Sequence, residues 1–470
     1  MSEYRVTPYT DGYVLVEFPG GCGTFGDGTP SLPSQQIFVE VPKDVRGTVE
    51  IVQSVSEKMT ISQQVYPSQP CPTDTVGQGN EPRAFVKDEK VYASDSAFPG
   101  TVAHLVSHGI MRGRNLAVLR VNPFQYVPKT GEMTVYKELL LKVTYPPTRE
   151  QIADTDDGMD PIAKGLVLNY IPGSKRYRDV EYLIIAHDDY LNEMRGFAQW
   201  KEHQGFMTKM VSLSSITDLA APSATAIKNE VNKYYPGLKY LLLVGDANQI
   251  PLPKSARGED PELYANSTPS DLCYALLEGT DYYPDIHVGR IPANTVAQAA
   301  IMINKILFYE RTPDTGNWYN RFLLCGEFQY QYSKTNTAER LFCETAYVIH
   351  RSLGHLYTFA TQTIGTGSSG LGHTEYFFRK ETYRHKIKDP NGMNCKMPPE
   401  WAVNIKSDSE AKQNTLAFWR EGAFLVQHRD HGGETLCGTP GLNRNDVSSL
   451  ENVRKLPVLF SNNCLSGAID

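Results

Sequence analysis

The rhythm of apolar and polar positions changes near residue 179, and the change predicts two kinds of structure. Up to about residue 148, short alternating or apolar runs are separated by turn signals. The runs at 13–18, 36–41 and 134–136 read as strands, and the Gly- and Pro-bearing stretches at 19–21, 26–28 and 129–132 read as turns. No helical period of useful length interrupts them, so residues 1–150 read as an all-β, sandwich-like domain. From Asp179 onward apolar runs alternate with amphipathic stretches. Residues 180–186 read as a buried strand. Residues 189–204 read as a helix with Leu191, Met194, Phe197, Ala198 and Trp200 apolar, ended by Gly205. A strand at 208–211, a helix at 223–235 and a strand at 240–244 follow. Further strands are expected at 286–289, 321–325, 423–426 and 457–460, with helices near 294–310, 336–353 and 410–421. That alternation predicts an α/β domain with a mostly parallel sheet over 179–470. Residues 364–408 are polar and Gly-rich and carry no clear period.

Residues 151–178 separate the two halves. Residues 154–158 are acidic and turn-rich, and 172–178 are basic and rich in breakers. An exposed linker is one reading. A proteolytic processing site with Lys175, Arg176 or Arg178 at the cut is the other.

Composition narrows the function classes. Among 470 residues, 46 Lys and Arg against 53 Asp and Glu give a net charge of −7, which argues against a dedicated nucleic-acid binder. Eight Cys are too sparse for a disulfide scaffold. No apolar run reaches the ~18 residues of a membrane span. Residues 1–6 contain no basic segment followed by an apolar one, so the expectation is either a cytoplasmic protein or one whose export signal is absent from this chain. The sequence stops at Asp470, inside what reads as an active-site loop, so a truncated or processed polypeptide is expected.

In a parallel α/β sheet, ligands bind outside the carboxyl ends of the strands. Two strands run out there into reactive residues: 424–426 into Gln427-His428-Arg429-Asp430-His431-Gly432, and 457–460 into Ser461-Asn462-Asn463-Cys464. If these strands are neighbours, His431 and Cys464 come together, and a thiol beside an imidazole becomes a strong nucleophile at neutral pH. The backbone N–H groups of Gly432 and Cys464 are candidate oxyanion donors. Glu327, after the strand at 321–325, is the candidate to orient the imidazole. On spacing alone, a buried structural Cys and a core His account for the pattern at least as well. Four N/S ligands from His428, His431, Cys437 and Cys464 form a competing zinc reading, with irregular spacing and no CxxC pair. Asp246 after a strand, without a phosphate-binding Gly motif, reads as a loop cap. Asp271, Asp281 and Asp285 read as calcium ligands or, alternatively, as turn caps.

The sequence resembles the gingipain-type cysteine peptidases, the C25 peptidase family of the caspase-like clan. The resemblance runs over nearly the whole chain. Val121-Asn122-Pro123-Phe124-Gln125-Tyr126 with Gly131-Glu132-Met133-Thr134-Val135-Tyr136 is similar to the end of the family's propeptide domain. Leu243-Val244-Gly245-Asp246 with Ile250-Pro251, and Asp281-Tyr282-Tyr283 with Val288-Gly289-Arg290-Ile291-Pro292, are similar to the start of its catalytic domain. The most specific match is His431-Gly432-Gly433-Glu434-Thr435, followed by Leu456-Pro457-Val458-Leu459-Phe460 and Cys464. The sequence departs from the family pattern at Asp430, where Gly often stands, and at Asn463, where Ala is common. The family's catalytic domain also continues past the Cys, and an immunoglobulin-like domain typically follows.

The resemblance implies a latent cysteine endopeptidase acting on peptide or protein substrates, with its own prodomain as intramolecular inhibitor. In that frame Cys464 is the nucleophile, His431 the general acid/base and Glu327 the orienting carboxylate. Glu339 falls near the family position that supplies the base of the S1 pocket for Arg or Lys, on what reads as a helix N-terminus, where the macrodipole alone would favour a Glu. The resemblance implies no required cofactor, admits calcium without naming its ligands, and implies export to the periplasm, cell surface or medium. Two alternatives remain open: a catalytically silent surface or interaction protein of the same fold, and a sortase-like transpeptidase.

Overall fold

The computed structural model of the chain describes residues 4–9, 12–18, 21, 26–42, 47–69, 85–145, 158–173, 179–253, 269–330, 338–341, 349, 373–379, 387–388, 394–395, 405–406, 408–429, 432–433, 435–437, 441–452 and 454–463. Its amino-terminal half is antiparallel. Strands β1 (Arg5–Pro8) and β2 (Val14–Glu17) form a ribbon. Strands β3 (Gln35–Glu40), β5 (Ala103–Met111) and β6 (Arg114–Val121) form one three-stranded sheet in the order β3-β6-β5. Strands β4 (Thr48–Thr60), β7 (Phe124–Val127) and β8 (Glu132–Thr144) form another in the order β4-β8-β7. The alternation of the sequence explains the contact between the two sheets. Ala103, Leu119 and Val121 of β5 and β6 pack against Val49, Leu139 and Leu141 of β4 and β8. A second cluster, with Phe124, Tyr126, Met133 and Val135 buried, joins β7 and β8 to Val14 and Val16 of β2. One short helix, Glu89–Tyr92, interrupts this half; Asp88 caps it by accepting from the backbone N–H of Lys90 and Val91.

The segment expected to be a wholly exposed linker is partly folded. Residues Asp160–Leu166 form a helix whose Ala163 is buried together with Met159 and Val167 against Met111 and Leu116. The Asp160 carboxylate accepts from Arg114 at 2.5 Å, and Arg114 also reaches Glu40 at 3.0 Å. Asn169 continues this by exchanging two hydrogen bonds with the backbone of Glu40. Apolar residues spaced at 159, 163 and 167 bury one helical face, which a reading based on flanking charge overlooks. Lys175, Arg176 and Arg178 lie outside the described residues.

The carboxyl-terminal half contains two parallel sheets. The first has four strands in the order β10 (Thr208–Ser212), β9 (Tyr182–Ala186), β11 (Tyr240–Val244), β12 (His287–Ile291), all parallel. Its two central strands, β9 and β11, are buried on both faces, as a continuous apolar run requires. Leu183, Ile185, Leu241 and Leu243 face one cluster with Ile227 and Val231 of the helix Ala224–Asn232. Ile184, Ala186, Leu242 and Val244 face the other with Met194 and Phe197 of the helix Leu191–His203 and Ala299 and Ile303 of the helix Val296–Arg311. These helices match the expected spans to within a few residues.

The second sheet is built on β13 (Arg321–Tyr330). Strand β14 (Ala338–Leu341) pairs antiparallel with its far end. The parallel path is β18 (Ile405–Lys406), β15 (His373–Arg379), β13, β19 (Leu425–Arg429), β22 (Val458–Asn462). Two short ladders complete the strands: β16 (Ile387–Lys388) with β17 (Asn394–Cys395), and β20 (Gly432–Gly433) with β21 (Leu436–Cys437). The helix Asp408–Glu421 precedes β19, and its Phe418 packs with Leu323, Cys325 and Val426. A short capped helix, Arg444–Ser448, lies between β21 and β22.

The expected helix near 336–353 is not formed at its start. Residues 338–341 are strand, and only residue 349 is helical among the described residues of that stretch. Strand β13 runs past its parallel neighbours, so the backbone groups of Phe328–Tyr330 need a partner, and β14 supplies it. Tertiary pairing overrides the local helical spacing.

Candidate active site

Register fixes where the two reactive loops leave the sheet. Cys325 pairs with His428 and Gly326 with Arg429 across β13 and β19. His428 pairs with Ser461 and Arg429 with Asn462 across β19 and β22. The neighbouring parallel strands therefore end level with each other. In sequence His431 stands two residues after Arg429, and Cys464 two residues after Asn462. His431 and Cys464 themselves lie outside the described residues. Glu327 stands one residue past the pair Gly326–Arg429 on β13, and it is level with Arg379 of β15 on its other side. Gly432 opens the β20–β21 hairpin, opposite Cys437.

The ends of β19 and β22 are tied by side chains as well as by the ladder. The Asn463 side-chain amide donates to Nδ1 of His428 at 2.7 Å, and Ser461 Oγ donates to Asn463 Oδ1 at 3.4 Å. Nδ1 then acts as acceptor, so the neutral ring carries its proton on Nε2. His428 is buried at 3 % exposure, and Gln427 beside it is equally buried. A buried polar side chain is costly unless it is hydrogen-bonded, and Asn463 meets that need at Nδ1 of His428. His428 was a metal-ligand candidate from sequence. Its Nδ1 is instead engaged by the residue that directly precedes Cys464.

Glu339 does not begin a helix. It lies on β14 between Ala338, which pairs with Tyr330, and Arg340, which pairs with Gln329, where the register shifts. It is therefore the extra residue of a β-bulge at the carboxyl end of β13.

The three carboxylates read as calcium ligands have separate partners. Asp271 makes a two-pronged pair with Arg290 at 2.6 and 2.8 Å. Asp281 accepts from the N–H groups of Ile110 and Tyr283, both at 2.8 Å. Asp285 accepts from the N–H groups of Arg112, Leu277 and Glu278. Burial pushes the Asp285 carboxyl above its ordinary range, against the pull of those three N–H groups. Among the described residues no group of three or more His, Cys, Asp or Glu gathers as a metal site. Asp246 caps its own loop by accepting from Ala247 N–H at 2.9 Å, as its position suggested, and its second oxygen accepts from the Asn294 amide.

The model of Peptidase family C25 matches residues 175–470, and that of the C25 propeptide matches residues 13–177. The chain belongs to peptidase family C25. Gingipain R1 from Porphyromonas gingivalis is 26 % identical over 98 % of this C25 chain, and the chain covers 41 % of that relative. Gingipain R2 is 25 % identical over 96 % of the chain and 55 % of the relative. Lys-gingipain is 24 % identical over 68 % of the chain and 19 % of the relative. The chain thus spans about half or less of the length of these curated relatives. Among solved structures, the Arg-specific cysteine proteinase gingipain R (RgpB) aligns with a TM-score of 0.46 at 21 % identity, over 63 % of this chain and 57 % of that one. The complex of RgpB pro- and mature domains from Porphyromonas gingivalis aligns with a TM-score of 0.45 at 20 % identity, over 62 % of this chain and 56 % of that one. No described helix of the C25 chain is long and apolar enough to cross a membrane.

Proposed function

We propose that the chain is a cysteine endopeptidase made as a latent zymogen, with a prodomain over residues 1–150, a processing segment over 151–178 and a catalytic domain over 179–470. The observation that carries this reading is the level register of β19 and β22. His431 and Cys464 each follow in sequence two residues after the last paired position of these adjacent strands. Neighbouring strands lie about 4.8 Å apart, so level ends on adjacent strands support a reading in which a thiol and an imidazole work as a pair.

In the proposed reaction, Cys464 passes its proton to His431 and its sulfur attacks the peptide carbonyl carbon. Backbone N–H groups of Gly432 and Cys464 stabilise the oxyanion. The intermediate collapses as His431 protonates the leaving amine, which breaks the C–N bond and leaves a thioester. His431 then takes a proton from water, whose oxygen attacks the thioester; the acid departs and the thiol is restored. Glu327, one residue past the last pairing of β13 with β19, is proposed to orient the imidazole. The chemistry needs no cofactor.

The names of the relatives, gingipain R and Lys-gingipain, favour a basic P1 residue, with Glu339 at the β14 bulge as its counter-charge. The same preference suits self-cleavage at Lys175, Arg176 or Arg178. The natural partners are then peptide or protein substrates, met outside the cytoplasm.

The test is labelling by a peptidyl chloromethyl ketone with Arg or Lys at P1, after the processing segment has been cut. Stoichiometric labelling at Cys464 is expected, together with hydrolysis that Cys464→Ala abolishes. A folded, cut protein that neither labels nor cleaves would favour the silent surface protein. Product masses carrying an added amine in place of water would favour the transpeptidase.

A further inference from the structure

We propose that the amino ends of β11 and β12 form an exosite that holds the prodomain through an arginine-tipped turn. It is separate from the sheet end to which the reactive loops belong. The turn joins β5 to β6 and consists of Arg112 and Gly113. Both have positive φ, +47° and +72°, and Arg112 is the one non-glycine residue with positive φ among those described. Two-residue hairpin turns of this kind favour Asn-Gly, and a side chain in the left-handed region costs about 1 kcal/mol. An arginine held there against its preference points to a use for the guanidinium.

The use is visible in its partners. Arg112 is 3 % exposed. Nη1 donates to the carbonyl oxygens of Leu238 at 2.5 Å and Asp285 at 3.0 Å, and Nη2 donates to that of Pro236 at 2.8 Å. The ring of Tyr235 lies 5.8 Å from the guanidinium carbon. The turn backbone is held too. Arg112 N–H donates to Asp285 Oδ1, Gly113 N–H to Glu278 Oε2 and Ile110 N–H to Asp281 Oδ2, each at 2.8 Å. Leu238 precedes β11 and Asp285 precedes β12, so this pocket opens at the amino ends of the first sheet.

Close packing surrounds the polar centre. A Cβ on Gly109 would stand 2.2 Å from the Tyr283 ring, so this strand touches the ring as only glycine allows. Phe38 meets the same ring edge-on at 6.1 Å. The pocket therefore recognises a guanidinium on a tight β-turn. Its occupant is the chain's own prodomain, read as such from the propeptide match over 13–177. Anchoring here and blockage of the catalytic cleft are then separable properties.

The test uses the full chain with Cys464→Ala, so that its result does not depend on the proposed peptidase activity. Residues 174–178 are replaced by the recognition sequence of a site-specific protease. After cutting, the two halves are expected to co-elute on size exclusion at micromolar concentration. Arg112→Asn keeps a residue suited to the turn but removes the guanidinium. It is expected to weaken association about 100-fold, as a buried arginine anchor does, and to release the amino-terminal half. Arg112→Lys should hold the halves less tightly than Arg112. Gly109→Leu provides a second route, driving a side chain into Tyr283 while leaving Arg112 in place, and should also release the half. Thermal melts of the uncut variants establish that both halves remain folded. Co-elution of Arg112→Asn and Gly109→Leu with parental affinity would overturn the proposal. So would separation of the parental halves on cutting.

Discussion

The two parallel sheets of the carboxyl-terminal half are made from similar apolar runs, yet they are finished differently. In the first, Leu241, Leu242, Leu243 and Val244 are all buried, alternate residues facing opposite helix-covered clusters. In the second, the last strand on the path, β22, leaves Val458, Leu459 and Phe460 between 42 % and 52 % exposed. Its inner neighbour β19 buries Gln427 and His428 where the first sheet has only aliphatic side chains. The first sheet spends its strand ends on structural bonds, such as the guanidinium pocket before β11 and β12. The second buries polar side chains on β19, and the proposed catalytic residues follow its strands in sequence. On the proposed function, packing and reactivity are divided between sheets of one class.

The comparison breaks most visibly under truncation of matching leucines. Leu243→Ala should destabilise the peptidase half by about 2–5 kcal/mol, because a fully buried leucine leaves a cavity that its helices cannot fill. Leu459→Ala, on the exposed strand, should cost less than about 1 kcal/mol. Urea unfolding of the Cys464→Ala chain, followed by tryptophan fluorescence and circular dichroism, measures both. Equal costs would mean that β22 is as well packed as β11, and the contrast between the sheets would fail.

What could be read from sequence follows the same division. The first sheet was legible strand by strand, since a strand buried on both faces is an unbroken apolar run: Leu183–Ala186 and Leu241–Val244 carry no competing signal. Strand β15 was not legible. His373-Thr374-Glu375-Tyr376-Phe377-Phe378-Arg379 mixes charge with aromatics, yet it pairs along seven residues of β13. Its identity comes from that partner and not from its own period. The helix expected to start at Glu339 is absent for a related reason, since β14 pairs with the part of β13 that outruns its parallel neighbours. The helix Asp160–Leu166 hid between acidic and basic flanks. At the proposed site, His431, Cys464 and Glu327 are candidates from motif and resemblance, and His431 and Cys464 lie outside the described residues. The hydrogen bond from Asn463 to His428 was not legible, because it joins residues 35 apart through strand register. The signal available was the departure at Asn463 itself, which gains a physical reason once His428 stands opposite.

That hydrogen bond gives the intermediate effect. Asn463→Ala should lower kcat/KM about tenfold, equivalent to about 1.4 kcal/mol, with most of the loss in kcat. The peptide-binding surface is unaltered, while the strand end before Cys464 loses a bond to a buried partner. His428→Ala should lose a similar amount. His428→Gln, which still offers an acceptor oxygen, should recover part of it. The rate of Cys464 alkylation by iodoacetamide against pH gives a second readout, since a displaced thiol titrates at a different pH. Unchanged kinetics in Asn463→Ala would make the tie structural only, and the second sheet would owe its reactivity to the loops alone.

The smallest effect lies at the capped helix Arg444–Ser448, on the loop between β21 and β22. Asn443 and Asp446 form a reciprocal cap, Asn443 N–H donating to the Asp446 carboxylate at 2.9 Å. Lys412, on the helix Asp408–Glu421, adds an ion pair to Asp446 at 2.7 Å. The Lys412 ammonium first, then the Asn443 N–H, hold the Asp446 carboxyl below its ordinary value of 3.8. A carboxyl depressed in the folded state contributes stability above its unfolded value and loses it as pH falls through the lower, folded one. Asp446→Asn should therefore be less stable than the parent at pH 6, and the gap between their urea midpoints should close below about pH 4. Because the pair is near the surface and salt screens it, the gap should also shrink between 0.05 and 1 M salt, where the screening length falls from well over to well under about 10 Å. A gap that persists at pH 2.5 would assign the contribution of Asp446 to the shape of the cap and not to its charge.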